Sequence, residues 1–271
     1  KQWREVMTGN NNGISVTPSF FIACGDDCPM QVVSWYGILV FCNRLSIQEN
    51  KTPVYSINGS TNPSIWGQVP TASNATWNGV TAYWNANGYR MPTEAEWEYA
   101  ARGSTNNPDL AWAGTNVETE LVNYAWYTVN SSNGTQKVGQ KLPNALGLYD
   151  ISGHVWELCW DWFSNSFPTG NNNPRGPMAG SQRVDRGGSW NGSAASCRVS
   201  NRFGVSPADY GRVLGFRLAA SHSSSTNNLA CPTMTAPTPN STNINVLPRI
   251  QWTSVPDATS YTISVSTSPG G

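Results

Sequence analysis

The clearest apolar period lies at residues 34–46, Ser-Trp-Tyr-Gly-Ile-Leu-Val-Phe-Cys-Asn-Arg-Leu-Ser. Trp35, Ile38, Leu39, Cys42 and Leu45 fall on one face at helical spacing, with Ser34 as N-cap, so the segment predicts a helix. A second helix is predicted at residues 93–102. Thr93 followed by Glu96 makes a capping box, Pro92 precedes it, and Gly103 can end it in a left-handed turn. Trp97, Ala100 and Ala101 form its buried stripe. Between them, Thr52 to Asn87 shows neither period and reads as a low-charge loop region carrying Trp66, Trp77 and Trp84. From Val122 to Ala220, short apolar segments alternate with Gly, Asn and Pro turns, as in 147–150 and 154–157. That pattern is neither a repeat solenoid nor an alternating β-α unit, and it predicts an α+β domain with much irregular loop structure.

The pattern changes again at Ser221. Residues 221–235 are rich in Ser, Asn and Thr without apolar period and read as a linker. Beyond it, Ile250 and Trp252 alternate, 256–258 is a turn, and Tyr261, Ile263 and Val265 alternate again. Residues 236–271 resemble the opening strands of a fibronectin type III domain. That implies part of an all-β sandwich, of which a whole example runs to ~100 residues. The expected organisation is therefore a domain at 1–220, a linker at 221–235 and a partial sandwich at 236–271, with the chain stopping inside that last domain.

Composition narrows the function classes. The 271 residues carry 16 Lys plus Arg against 16 Asp plus Glu, and only 12% are charged, about half the usual ~25%. A neutral chain without a basic stripe is a poor nucleic-acid binder. The longest apolar run, Tyr36 to Cys42, is far short of the ~20 residues a membrane span needs. Thirteen Trp argue against disorder. A polar, uncharged, aromatic-bearing surface suits a secreted, periplasmic or cell-surface protein, and no signal peptide or lipid-anchor motif is visible. Asn58, Asn74, Asn130, Asn133, Asn191 and Asn240 head glycosylation sequons, which composition alone could also produce. The six cysteines allow fifteen pairings. Cys24 and Cys28 bound a tight loop that could close as a disulfide or hold two free thiols. Zinc is disfavoured because no second Cys or His pair stands at ligand spacing.

Three blocks carry chemistry. Residues 90–103 form the first and 144–157, Asn-Ala-Leu-Gly-Leu-Tyr-Asp-Ile-Ser-Gly-His-Val-Trp-Glu, the second. The third is Arg186-Gly-Gly-Ser-Trp190 with Cys197-Arg198 and Leu214-Gly-Phe-Arg217. In this order, over roughly Gln2 to Ala220, they closely resemble the formylglycine-generating-enzyme, or sulfatase-modifying-factor, family. The resemblance implies a C-type-lectin-like fold with few strands, many loops and structural calcium. It also implies oxidation of a substrate cysteine by copper(I) on two cysteines five residues apart, since paired soft thiolates suit that ion. Here the second position is Cys197 but the first is Gly192. One thiolate cannot make the two-sulfur site, so copper and the oxidase activity are disfavoured. A relative branch holds iron with three histidines, whereas this chain has only His154 and His222. Cys159 is the best candidate disulfide partner for Cys197, with two buried thiols as the alternative.

Calcium transfers better. The family's ligands at one site fall on Asp150, Ile151, Gly153, Val155 and Glu157, and at a second on Asn123, Tyr124, Asn130 and Ser132. Two carboxylates around a Gly turn suit a hard cation. The alternative has Asp150 capping a turn and Glu157 pairing with an arginine. His154 is expected to be a hydrogen-bonded turn residue in preference to a catalytic base. Trp156, Trp160, Trp162 and Trp190 are either core or the lining of a cleft. Arg198, Arg202, Arg212 and Arg217 cluster near the last block, with Arg217 expected as a buried structural arginine. Some lectin-fold relatives diversify the segment that corresponds to Asn191–Val213, which is moderately polar here. The reading that follows is a non-catalytic secreted or surface module. It binds a protein or glycan, or builds an extracellular assembly by self-association.

Overall fold

The computed structural model describes residues 1–103, 110–167 and 173–221, with the backbone of 234–236 and 251–252. The chain divides into two units, Lys1–His222 and Ser223–Gly271. In the second, Met234–Ala236 and Gln251–Trp252 pair as two short antiparallel strands. Met234 and Thr235, expected in a linker, thus belong to a strand. The Tyr261, Ile263 and Val265 alternation lies outside the described residues.

Helix α2, Trp35–Gln48, is the centre of the first unit, and Ser34 caps it by accepting from the Gly37 N–H. The sequence predicts one buried face; the structure buries residues 35–43 on every side. A helix apolar all round has to be surrounded, and this one is. Helix α1, Gln2–Met7, stacks Trp3 on Phe41 with ring centroids 5.0 Å apart. Asn43, also fully buried, is satisfied by bonds to the Tyr55 N–H and carbonyl and to the Thr61 carbonyl at 2.7–3.0 Å. The region expected to be loop, 52–87, contains four short elements: β1, Tyr55–Ser56; a 3₁₀ turn, Pro63–Ile65; α3, Ala75–Asn78, capped by Asn74; and β2, Thr81–Ala82, antiparallel to β1. Trp66 and Trp77 leave this region to join the core around α2. These elements are too short to have a period and exist through tertiary packing.

Strand β3, Tyr89–Arg90, leads into α4, Glu94–Arg102, whose capping box is formed and whose Gly103 stands at φ 76°. Trp97 and Ala101 are buried as predicted, while Ala100 is half-buried. The main sheet has β4, Trp156–Trp162, and β5, Arg183–Arg186, at its centre. β6, Arg202–Val205, flanks β5 antiparallel, and β7, Leu214–Gly215, lies parallel to β4. β8, Ala219–Ala220, returns antiparallel to β3. The unit is the α+β, loop-rich fold that the sequence predicts.

Charge holds this core as well as apolar packing. Arg183 is 1% exposed, with its guanidinium 3.6 Å from the Trp35 ring and 3.4 Å from that of Trp162, and it donates to the Trp160 carbonyl at 2.6 Å. Burial pushes its pKa down to about 9. Of the four tryptophans considered above, Trp162 is buried and stacked on Trp35, and Trp160, half-buried, packs against the same ring at a tilt.

Burial also pushes the carboxyls of Asp161 and Asp185 up to about 7. Their protons are held more tightly by the fold than by the unfolded chain. This stabilisation is full below the ordinary carboxyl range and is lost as pH rises towards 7. Burial lowers the pKa of His154, which acts in the opposite sense below about pH 6.5. Two aspartates act against one histidine, so the net sense is that of the aspartates. The domain is expected to lose stability between pH 5 and 7, by on the order of 1 kcal/mol per pH unit. Urea unfolding at both pH values checks this, and the Asp161→Asn, Asp185→Asn double variant should abolish or reverse the slope.

Candidate functional site

The turn at 150–157 is built from strained backbone. Asp150 and His154 stand at φ 57° and 69°, a region few non-glycine residues adopt. Gly153 stands at φ 78°, and a β-carbon there would lie 2.3 Å from the Trp126 carbonyl oxygen. Only glycine lets the turn approach residue 126 this closely. The His154 N–H then donates to that same carbonyl at 2.7 Å, and the Trp190 N–H donates to the His154 carbonyl at 2.9 Å. His154 is buried, with Nε2 between the N–H and the carbonyl of Gln136 at 3.2 and 3.0 Å. Its ring ties two loops together and is the hydrogen-bonded turn residue the sequence predicts.

The two carboxylates of the turn have different partners. Glu157, 5% exposed, accepts from the Trp97 indole N–H at 2.6 Å and from two nitrogens of Arg217 at 2.5 Å. It is the partner of an arginine, and Arg217 is the structural arginine expected. Asp150 accepts from the Gly139 N–H through Oδ2 at 2.7 Å, while its buried Oδ1 has no hydrogen-bond partner and faces His154 Nδ1 at 3.9 Å. A buried carboxylate oxygen without a hydrogen-bond partner is a position a hard cation would satisfy. With Glu157 committed to Arg217, Asp150 is the carboxylate of the first predicted site left to a cation.

The second predicted site does not fit. Asn130 spends its carboxamide on the Tyr127 N–H and on the carbonyls of Val122 and Ala125. Lys141 brings a positive charge to the same place: Nζ donates to the Val122 carbonyl at 2.6 Å and lies 3.8 Å from the Trp126 ring centroid. Asn123, Tyr124, Asn130 and Ser132 offer no carboxylate to offset a divalent ion beside that ammonium. Lys141→Met is expected to cost about 1–2 kcal/mol, from the charged hydrogen bond and the cation–π contact. Chemical denaturation should give the same loss with calcium and with a chelator.

Of the two candidate disulfides, Cys24–Cys28 forms and Cys159–Cys197 does not. Cys24 and Cys28 form a disulfide, while Cys42, Cys159 and Cys197 are buried free thiols. The expected Cys159–Cys197 bridge is absent because the two side chains enter different clusters. Cys159 packs with Trp97, Ile151 and Val184, and Cys197 with Trp112, Leu121 and Tyr127. Burial pushes the Cys197 thiol up to about 12, so the reactive thiolate is disfavoured. Gly192 offers its carbonyl to the Thr128 N–H and supplies no sulfur.

The arginines expected to cluster have four separate tasks. Arg198 lies over Trp112, Arg202 binds Glu94, Arg212 covers Phe20 and Arg217 holds Glu157. Arg212 belongs to an aromatic surface. Its guanidinium sits 3.4 Å from the Phe20 ring centroid, and its carbonyl accepts from the Trp190 indole at 3.1 Å. Phe21 meets Trp190 edge-on at 5.0 Å and Phe20 at 5.1 Å. Phe20 is 52% exposed. On β6, Phe203 is also exposed and meets Trp156 edge-on at 5.3 Å. Trp156, Trp160 and Trp190 are half-buried, Trp160 against the core around α2, and Trp156 and Trp190 against Phe203 and Phe21. The sequence carries no period around Phe20 and Phe21 that would have marked them; only the adjacent aromatic pair was a signal.

A family model for the sulfatase-modifying factor enzyme 1-like domain matches residues 3–222. The chain belongs to that family. Within it, this sulfatase-modifying factor enzyme 1-like chain is similar to proteins of differing names. The chaperone protein LppX of Paenibacillus barcinonensis is 34% identical over 218 residues, covering 74% of this chain and 69% of the relative. The mouse formylglycine-generating enzyme is 37% identical over 161 residues, covering 54% of this chain and 43% of the enzyme. This chain therefore spans less than half of that enzyme's length. Among solved structures, Treponema denticola variable protein 1 matches with a TM-score of 0.70 and 44% identity over 80% of each chain.

Proposed function

We propose that this sulfatase-modifying factor enzyme 1-like domain is a non-catalytic binding module, secreted or displayed at a cell surface, that recognises a protein ligand. The aromatic surface of Phe20, Phe21, Trp190 and Arg212 carries the reading. Trp, Arg and other aromatic side chains concentrate binding energy at protein interfaces. Here they are held in place by one another and by the Trp190–Arg212 hydrogen bond, so little ordering is left to be done on binding. The pairing of Gly192 with a single buried Cys197 supports the absence of copper chemistry. Similarity to a chaperone and to a variable protein supports recognition as the function. A Cys24–Cys28 disulfide supports an oxidising compartment. Calcium in this reading belongs to the 150–157 turn, where Asp150 with the carbonyls of Ile151, Gly153 and Val155 would hold it. The bound ion would lock the backbone that carries Trp190.

Two experiments test the reading. Incubation with copper(I), oxygen and a Cys-X-Pro-X-Arg peptide should leave the peptide cysteine unconverted; formylglycine in the product would restore the oxidase. Immobilised wild-type domain should retain a protein from the extracellular fraction of its source that the Trp190→Ala, Arg212→Ala variant does not. Identical retention by both would remove this surface from the function.

A further inference from the structure

A cavity of about 460 Å³ opens between α1, the start of α2 and residues 69–71, away from the 150–157 turn. Its volume falls in the ~300–1,000 Å³ range of small-molecule sites. Trp3, Ile14, Val33 and Val69 give it an apolar wall, and Tyr210 stands at its edge. Its polar side chains are hydroxyls, those of Ser15, Thr17, Ser34, Thr71 and Tyr210, and no charged residue lines it.

Two departures from local conformational preference meet in this one lining. Val32 is β-branched yet stands at φ 61°, in the left-handed region such residues avoid. The conformation is held by the Val32 N–H donating to the Gly211 carbonyl at 3.0 Å, which ties the 208–211 segment over the cavity. Gly37 lies in the first turn of α2, where alanine would favour the helix. Close packing does not require a glycine there. A β-carbon would meet only Ser34 Oγ at 3.5 Å and Ile14 Cδ1 at 3.9 Å, both ordinary contacts. A larger side chain at 37 would occupy the cavity. Local rules are broken where function requires it, and here both breaks line the same space.

We infer that the cavity beside Gly37 and Val32 is a binding site for a small, uncharged, largely apolar molecule that carries a hydroxyl or similar polar edge. Apolar walls without a counter-charge reject ions, because a charge buried there would be unpaired. The hydroxyls around it supply orientation. None of Phe20, Phe21, Trp190 and Arg212 lines it.

The test uses the neutral fluorophore N-phenyl-1-naphthylamine as the probe. Wild-type protein should give saturable, blue-shifted emission. Gly37→Leu should weaken binding at least tenfold with an unchanged circular dichroism spectrum. Gly37→Ala adds only a methyl group at ordinary contact distance. It should raise Tm by a few degrees and weaken the probe at least threefold, and it decides the matter if the leucine variant does not fold. Phe203→Ala, at an exposed position outside the lining, should bind the probe as wild type does. No saturable emission from wild type, or equal affinity in the Gly37 variants, would overturn the assignment.

Discussion

Glu94→Gln is expected to cost the domain about 3–5 kcal/mol, a large share of the ~5–15 kcal/mol by which such domains are stable. Glu94 is wholly buried and accepts from two nitrogens of Arg202 at 2.6 Å, with Arg186 Nε 3.4 Å away. Arg186 is itself buried, and its other carboxylate partner is Glu98. The amide keeps the shape of the side chain but removes the charge that two guanidinium groups share, and leaves Arg186 with Glu98 alone. Truncating one member of a buried ion network costs far more than the net value of the network, because the remaining charge stays desolvated. Guanidinium chloride unfolding measures the loss. The exposed Lys1–Glu5 pair is the internal control: Glu5→Gln should leave the unfolding midpoint unchanged, since solvent screens both charges. An equal response of the two variants would mean that Glu94 is solvated in solution.

The network also shows where sequence reading stops. The capping box at Thr93 and Glu96 was legible because helix capping is local, and so was Gly103. Glu94 looks in sequence like one more acid in the first turn of a surface helix. Its burial depends on Arg202, 108 residues later, and nothing local encodes that pairing. The same limit explains α1, α3, β1 and β2, whose two to six residues are too few to display a period and which are held by Trp3, Trp66 and Trp77 entering the core. Motif blocks reach further than periodicity. The second block located the turn at 150–157 and the pivotal Gly153 without any structure. It could not choose between metal ligand and ion pair for Glu157, since both demand a carboxylate at that position. Nor could it see that Lys141 puts an ammonium group at the second predicted cation site. The local Cys24–Cys28 bridge was legible, but the Cys159–Cys197 pairing failed for the same reason, because adjacency after folding, and not order along the chain, keeps those two in separate clusters.

Glu157 is where that ambiguity has the largest measurable consequence. Glu157→Gln is expected to destabilise the domain by about 3–5 kcal/mol, and by the same amount in calcium and in chelator. The Trp97 indole and two Arg217 nitrogens already converge on this carboxylate, so its charge neutralises a guanidinium that anchors β7 and the 150–157 turn to α4. Removing the carboxylate charge strands Arg217, which is only 24% exposed at its side chain. Asp150→Asn should behave differently. Its Oδ2 bond to the Gly139 N–H survives in an amide oxygen, so the loss without calcium is expected to be about 1 kcal/mol or less. Calcium should stabilise wild type and leave this variant unchanged, because the charge at Oδ1 is gone. Thermal unfolding of the two variants with and without calcium therefore separates the roles. If Glu157→Gln lost stability only in the presence of calcium, Glu157 would be a ligand and Arg217 its bystander. If Asp150→Asn kept the full calcium response, the turn would hold no ion through Asp150.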